Sequence, residues 1–167
     1  MKRACCSTCY IHYNKALLCV DGIARNKMRV CGVELKGNDA NICLLSMSEG
    51  LFDLPDCRVR RVSLENINTQ AALLKFQFAF AKLVEDYKID KVIIRQRNMK
   101  GKFSGGAIGF KLEAAIQLIE NLTVEILSPI EAKEILKQHP IQIPFVETGL
   151  KAFQEPAFTT AYTSLIA

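Results

Sequence analysis

Glu34 is an acid inside a run that otherwise reads as core strand, Arg29-Val-Cys-Gly-Val-Glu-Leu35, just ahead of a tight polar turn. A carboxylate in so apolar a segment is costly unless a hydrogen-bond donor, a base or a metal ion compensates its charge. A second concentration of chemistry lies at the loop Gln96–Gly105. There Arg95, Arg97, Lys100 and Lys102 alternate with Gly101, Gly105 and Gly106, and Phe103 stands in the middle. Glycines ahead of a helix expose backbone amides and neighbouring bases add positive charge, which together suit a phosphate. Phe103 could stack on a nucleobase. The plain alternatives are a structural carboxylate, paired with Arg95 or capped by turn amides, and a solvated basic loop. The loop is no Walker loop, because no GxxxxGK[ST] pattern is present. His12 and His139 make no case for histidine catalysis; His139 precedes Pro140 at a helix end, where it caps carbonyls.

These groups must be held by elements that the hydrophobic pattern outlines. Arg29–Leu35 and Ala40–Met47 are apolar or alternating, and Lys36-Gly-Asn-Asp39 between them tolerates positive φ, so they read as a hairpin. Ser48–Asp56 reads as a loop and Cys57–Leu64 as a third, more exposed strand whose arginines suit a sheet edge. Asn68–Lys88 is a helix with Leu73, Phe76, Phe80, Leu83, Val84 and Tyr87 in one stripe. Lys91–Arg95 is a buried parallel strand, and a helix near Gly106–Asn121 turns Ile108, Leu112, Ala115, Ile116 and Ile119 inward. Val124–Leu127 is the fifth strand. Ser128-Pro-Ile-Glu131 forms a capping box that opens a helix to about Gln138. Pro140 and Pro144 precede a terminal helical region, Thr148–Ile166, interrupted or kinked at Pro156. A three-strand meander followed by βαβ crossovers predicts an α/β fold with a mixed five-stranded sheet flanked by helices.

The 167 residues suit one domain, expected over 28–167. Residues 1–27 lack periodicity and read as an N-terminal extension, disordered or weakly helical, with zinc binding through Cys6, Cys9, His12 and Cys19 as the alternative. Five of the 22 basic groups and one of the 17 acids fall there, so 28–167 carries 17 bases against 16 acids and a net charge of +1. Overall charge is thus no argument for nucleic-acid binding. Seven cysteines, an odd total, and the lack of a signal-peptide pattern favour a reduced, cytoplasmic setting. No run approaches the roughly 18 apolar residues of a membrane helix, so no membrane partner is expected.

This order of elements, with an acid closing Val30-Cys-Gly-Val-Glu34, resembles the RNase H-like fold and within it the branch of the RuvC Holliday-junction resolvases. Met28–Asn38, Lys100–Gly106, Phe110–Ile119 and Ala157–Tyr162 are similar to the bacterial domain-of-unknown-function family 3010. The RuvC resemblance implies a carboxylate cluster that holds divalent ions, which activate water and stabilise a phosphoryl transition state. Glu34 takes the first acid's place with one extra methylene. The second acid sits in an Ile-Glu-Gln setting, and here Ile94-Arg95-Gln96 puts a base there. For an acid at the start of the last helix, Glu155 is the best match and Glu147 a looser one. Glu34 and Glu155 could still hold one Mg²⁺ and act catalytically. Otherwise Arg95 pairs with one of them and replaces the metal. Three functions follow: a non-catalytic DNA-, RNA- or phosphate-binding module, a Mg²⁺-dependent nuclease acting on structured nucleic acid, or a protein-interaction domain that forms a homodimer through the Cys57–Leu64 edge.

Overall fold

The computed structural model describes residues 27–98 and 105–167. The expected extension and its zinc ligands therefore lie outside the described residues, save Lys27. The chain opens with β1 (Arg29–Lys36) and β2 (Asp39–Ser48), antiparallel and paired from Arg29–Ser46 to Lys36–Asp39. The two-residue turn between them places glycine first, and Gly37 takes φ +61°, as hairpin turns of matching twist require.

The third strand of the expected meander is divided in two. β3 (Leu51–Asp53) pairs with Ser46–Ser48, and β4 (Arg61–Ser63) pairs with Asp39–Asn41. The described sheet therefore has six strands where the sequence predicts five. β2 is ten residues long and has room on its outer edge for two short partners. Pro55 between them has no N–H to continue a ladder. Part of the expected Ser48–Asp56 loop is thus strand, and only the end of Cys57–Leu64 is.

α1 (Gln70–Tyr87) starts where the Thr69 hydroxyl accepts a hydrogen bond from the Ala72 N–H. It leads to β5 (Lys91–Arg95), parallel to β1; α2 (Ala107–Gln117) then leads to β6 (Thr123–Leu127), parallel to β5. The strand order is β3-β2-β1-β5-β6, with β4 also on β2. The predicted capping box starts α3 (Pro129–Gln138): Ser128 and Glu131 exchange hydrogen bonds of 3.1 and 3.0 Å. α4 (Glu155–Ile166) follows two short 3-10 turns. Pro156 opens this helix rather than kinking it, since first-turn residues need no amide donor.

Alternation along the strands creates two cores. Cys31, Val33, Leu35, Val92 and Ile94 meet Phe76, Phe80, Leu83, Leu112 and Ile116 of α1 and α2. Val30, Cys43, Leu45 and Ile93 meet Ala157, Phe158 and Ala161 of α4. α4 can lie this close only because Gly32 has no side chain: a Cβ there would collide with the Ala157 carbonyl oxygen. Among the described residues no helix is long and apolar enough to cross a membrane.

Candidate functional site

β1 and β5 are parallel with Val33 opposite Ile94, so Glu34 and Arg95, the next residue on each, emerge side by side where the strands end. Alternation puts both on the α4 face of the sheet. The Arg95 Nη1 lies 3.8 Å from the Glu34 Oε1, with the Glu34 side chain 22% exposed and that of Arg95 47%. The charge of Glu34 is thus compensated by a base. This distance is an ion pair rather than a hydrogen bond, and solvent limits such a pair to under about 1 kcal/mol. Across β2, Asn41 faces Glu34 in register; it is 2% exposed, and its Oδ1 has no hydrogen-bond partner among the described residues.

Gln154 fixes where α4 begins. It is buried, its Nε2 donates to the Ile42 carbonyl at 2.8 Å, and its Oε1 accepts the Lys151 N–H at 3.1 Å. Glu155 follows at once and lines a cleft of about 500 Å³ between the ends of β5 and β6, α3 and α4. Arg95 lines the same cleft, and so do Lys133, Lys137, Thr159 and Thr160, whereas Glu34 and Glu147 do not. Glu34 reaches the cleft only through Arg95. Among the described residues the cleft holds three bases and one acid. The N-terminus of α3 is already capped by its own Ser128 and Glu131. The Ser128 hydroxyl and N–H hold the Glu131 carboxyl below the ordinary glutamate range. Among the described residues no three His, Cys, Asp or Glu side chains group as a metal ion would need.

The basic loop is used differently from its sequence pattern. The Arg97 Nη2 donates to the Gly106 carbonyl at 2.6 Å, and the guanidinium lies 4.7 Å from the Phe110 ring centre. It occupies the space beside Gly105 and Gly109 that a Cβ would need. Gly105 N–H closes the loop base on the Asn98 carbonyl at 2.7 Å. Arg97 therefore braces the start of α2, and Gly105 makes room for it. Burial pushes the Glu113 carboxyl up, partly offset by Arg97. Lys100, Lys102 and Phe103 lie outside the described residues. At the proposed dimer edge, Arg61 is turned back onto its own chain, 3.2 Å from Asp39 and stacked 4.4 Å over Phe153.

Two signals were available for residues the sequence reading passes over. A two-residue hairpin turn at Gly37-Asn38 already sets Asn41 opposite Glu34. Lys133 and Lys137, four apart on one helix, share a face. Which way that face points depends on how α3 packs.

The fold is similar to that of RuvC from Thermus thermophilus, with a TM-score of 0.62 at 12% identity over 81% of this chain and 92% of that one. A second structure, T. thermophilus RuvC in complex with Holliday junction substrate, gives 0.61 at 12% identity over 83% and 93%. Likeness at such identity is one of fold, and the fold is RNase H-like. No curated protein sequence matches the chain. The family model described as "Protein of unknown function (DUF3010)" matches residues 28–164, and the chain belongs to that family.

Proposed function

We propose that the protein is a non-catalytic module that binds the phosphate backbone of nucleic acid, with the Glu34–Arg95 ion pair standing where resolvases of this fold keep metal ligands. The observation that carries this reading is the double position of Arg95, which neutralises Glu34 and also lines the cleft with Lys133 and Lys137. Lys133 and Lys137 make no ion pair or hydrogen bond among the described residues. Their ammonium groups can therefore meet phosphates, while Glu34 keeps Arg95 oriented. Lys100, Lys102 and Phe103 belong to the same reading on their sequence pattern, with Arg97 as the brace of the loop. The RuvC complex with a Holliday junction supports nucleic acid as the ligand class.

The test is fluorescence anisotropy with branched DNA, single-stranded DNA and RNA across a salt series. Each lost phosphate contact should lower the slope of log K against log salt by about 0.7–0.9. Lys133→Ala with Lys137→Ala should lower it by nearly two such steps, and Arg95→Ala by one. Binding that is salt-insensitive, or equal in the variants, would refute the reading. The alternative, a Mg²⁺-dependent nuclease using Glu34 and Glu155, rests on both acids lying at the end of the sheet that α4 covers. Cleavage with Mg²⁺ or Mn²⁺ that Glu34→Gln abolishes would establish it and overturn the first reading.

A further inference from the structure

A hollow of about 350 Å³ opens at the β3 edge of the sheet, away from the Arg95 cleft. Its lining is apolar, with Leu45, Leu51, Phe52, Ile143, Phe158 and Tyr162 meeting there. The rim stands in solvent: Leu51 is 75% exposed, Ile143 46% and Phe52 39%. The polar donors of the lining are engaged, since the Tyr162 hydroxyl and the Gln142 Nε2 both donate to the Pro140 carbonyl at 3.2 Å. Such a hollow takes apolar side chains and offers little to a polar ligand. One wall is β3, the last strand in the sheet order. Among the described residues no strand pairs with its outer side, so its backbone can receive an extended segment.

The chain itself arrives at this place. The Arg29 N–H is held on the β5 side of β1, by the Asp90 carboxylate at 2.7 Å. Lys27, two residues earlier, forms an ion pair with Asp53 at the end of β3. That strand lies two places to the other side of β1, about 10 Å away. The ion pair therefore draws the backbone ahead of β1 toward β3. The sequence upstream of this anchor suits the hollow. Ala16–Val20 is a run of five apolar residues preceded by Lys15. Six residues join it to Lys27, a reach of up to about 20 Å. Charge agrees as well: residues 1–26 hold four bases and one acid, whereas Ser48–Asp56 carries Glu49, Asp53 and Asp56 and no base.

We propose that Ala16–Val20 of the same chain docks on the free side of β3, as an added strand whose alternate side chains fill the hollow. The dock covers Leu51 and Phe52 and closes an edge that would otherwise invite pairing with other chains. Because the segment is tethered, its effective concentration is about 1 mM, so a contact with a Kd of only about 0.1 mM is closed roughly nine times in ten.

Hydrogen exchange of the full chain, read by mass spectrometry in EDTA, tests this; the chelator excludes ordering of the segment by zinc through Cys6, Cys9, His12 and Cys19. Amides of Ala16–Val20 should exchange about tenfold more slowly than in an unfolded chain of that sequence. Ile143→Asp at the rim should abolish that protection. Leu17→Asp with Leu18→Asp should abolish it too, and should also speed exchange at Leu51–Asp53, which a helix confined to the segment would not do. Leu17 and Leu18 lie outside the described fold, so this pair decides the matter even if Ile143→Asp fails to fold. No protection in the wild type, or no change at Leu51–Asp53 in the double variant, would overturn the proposal. So would protection that grows with concentration over about 1–100 μM, since a second copy would then supply the segment.

Discussion

Replacing Gly32 by alanine tests the contact on which the α4 side of the molecule depends. The added Cβ would meet the Ala157 carbonyl oxygen and would stand 2.7 Å from the Ala161 nitrogen and 2.9 Å from the Ala161 Cβ. Ordinary contact begins at 3.4 Å, so the Ala161 nitrogen alone requires α4 to retreat by about 0.7 Å and the closer Ala157 carbonyl oxygen requires more, and no flexible side chain can yield in its place. Overpacking of this kind costs about 1–3 kcal/mol. The retreat also opens a gap over Val30, Cys43, Leu45 and Ile93, against which Phe158 is packed at 3% exposure. A gap of 0.5–1 Å forfeits a quarter or more of each contact's well, about 1–2 kcal/mol for a ring making tens of contacts. The sum is about 3 kcal/mol, a large part of the 5–15 kcal/mol typical of a domain, and corresponds to a fall in Tm of roughly 6–12 °C. Thermal and urea unfolding followed by circular dichroism would measure it. Gly37→Ala is the control: Gly37 has φ +61° with nothing within 4 Å of the added carbon, so only left-handed strain of about 1–2 kcal/mol applies. If Gly32→Ala costs under about 1 kcal/mol, or less than Gly37→Ala, the close approach of α4 does not hold this face together.

Two further outcomes follow from the titrating groups. Burial pushes the Cys43 thiol up to about 12 and raises Cys31 as well, each with help from a neighbouring cysteine. At pH 8 the reactive thiolate of Cys43 is therefore on the order of one part in 10⁴. Peptide-resolved alkylation of the folded protein should leave Cys31 and Cys43 unmodified, with Cys57, only half-buried, reacting ahead of them; rapid labelling of Cys43 would contradict its packing. Hydrogen bonds from Ser128 hold the Glu131 carboxyl low. A lowered carboxyl stabilises the fold above its unfolded pKa, and that contribution is lost as pH falls through the folded value. Ser128→Ala should move the Glu131 titration upward in a carboxyl NMR experiment and should flatten the acid limb of the stability profile. No movement would mean that the box does not form in solution.

The features legible in the sequence are those decided within a few residues. Gly37-Asn38 fixes the hairpin and, by counting back from it, the pairing of Glu34 with Asn41. Ser128 and Glu131 announce their helix because both hydrogen bonds close over three residues. The stripe through Phe76, Phe80 and Leu83 follows from the helical repeat, and these three are buried as that repeat predicts. Strand–helix alternation after Lys88 settles the parallel half of the sheet. The tertiary structure alone decided which groups meet. Arg95 joins Glu34 because two parallel strands end in register, whereas Arg97, two residues later, turns into its own loop. β2 takes two short partners because its length outruns the segments available to cover it. Lys133 and Lys137 enter the cleft, and Leu74, Phe78 and Leu118 stay in water, because neighbouring elements bury only part of each helix. Periodicity gives a helix its apolar face, but how far its neighbours cover that face depends on residues distant in the chain.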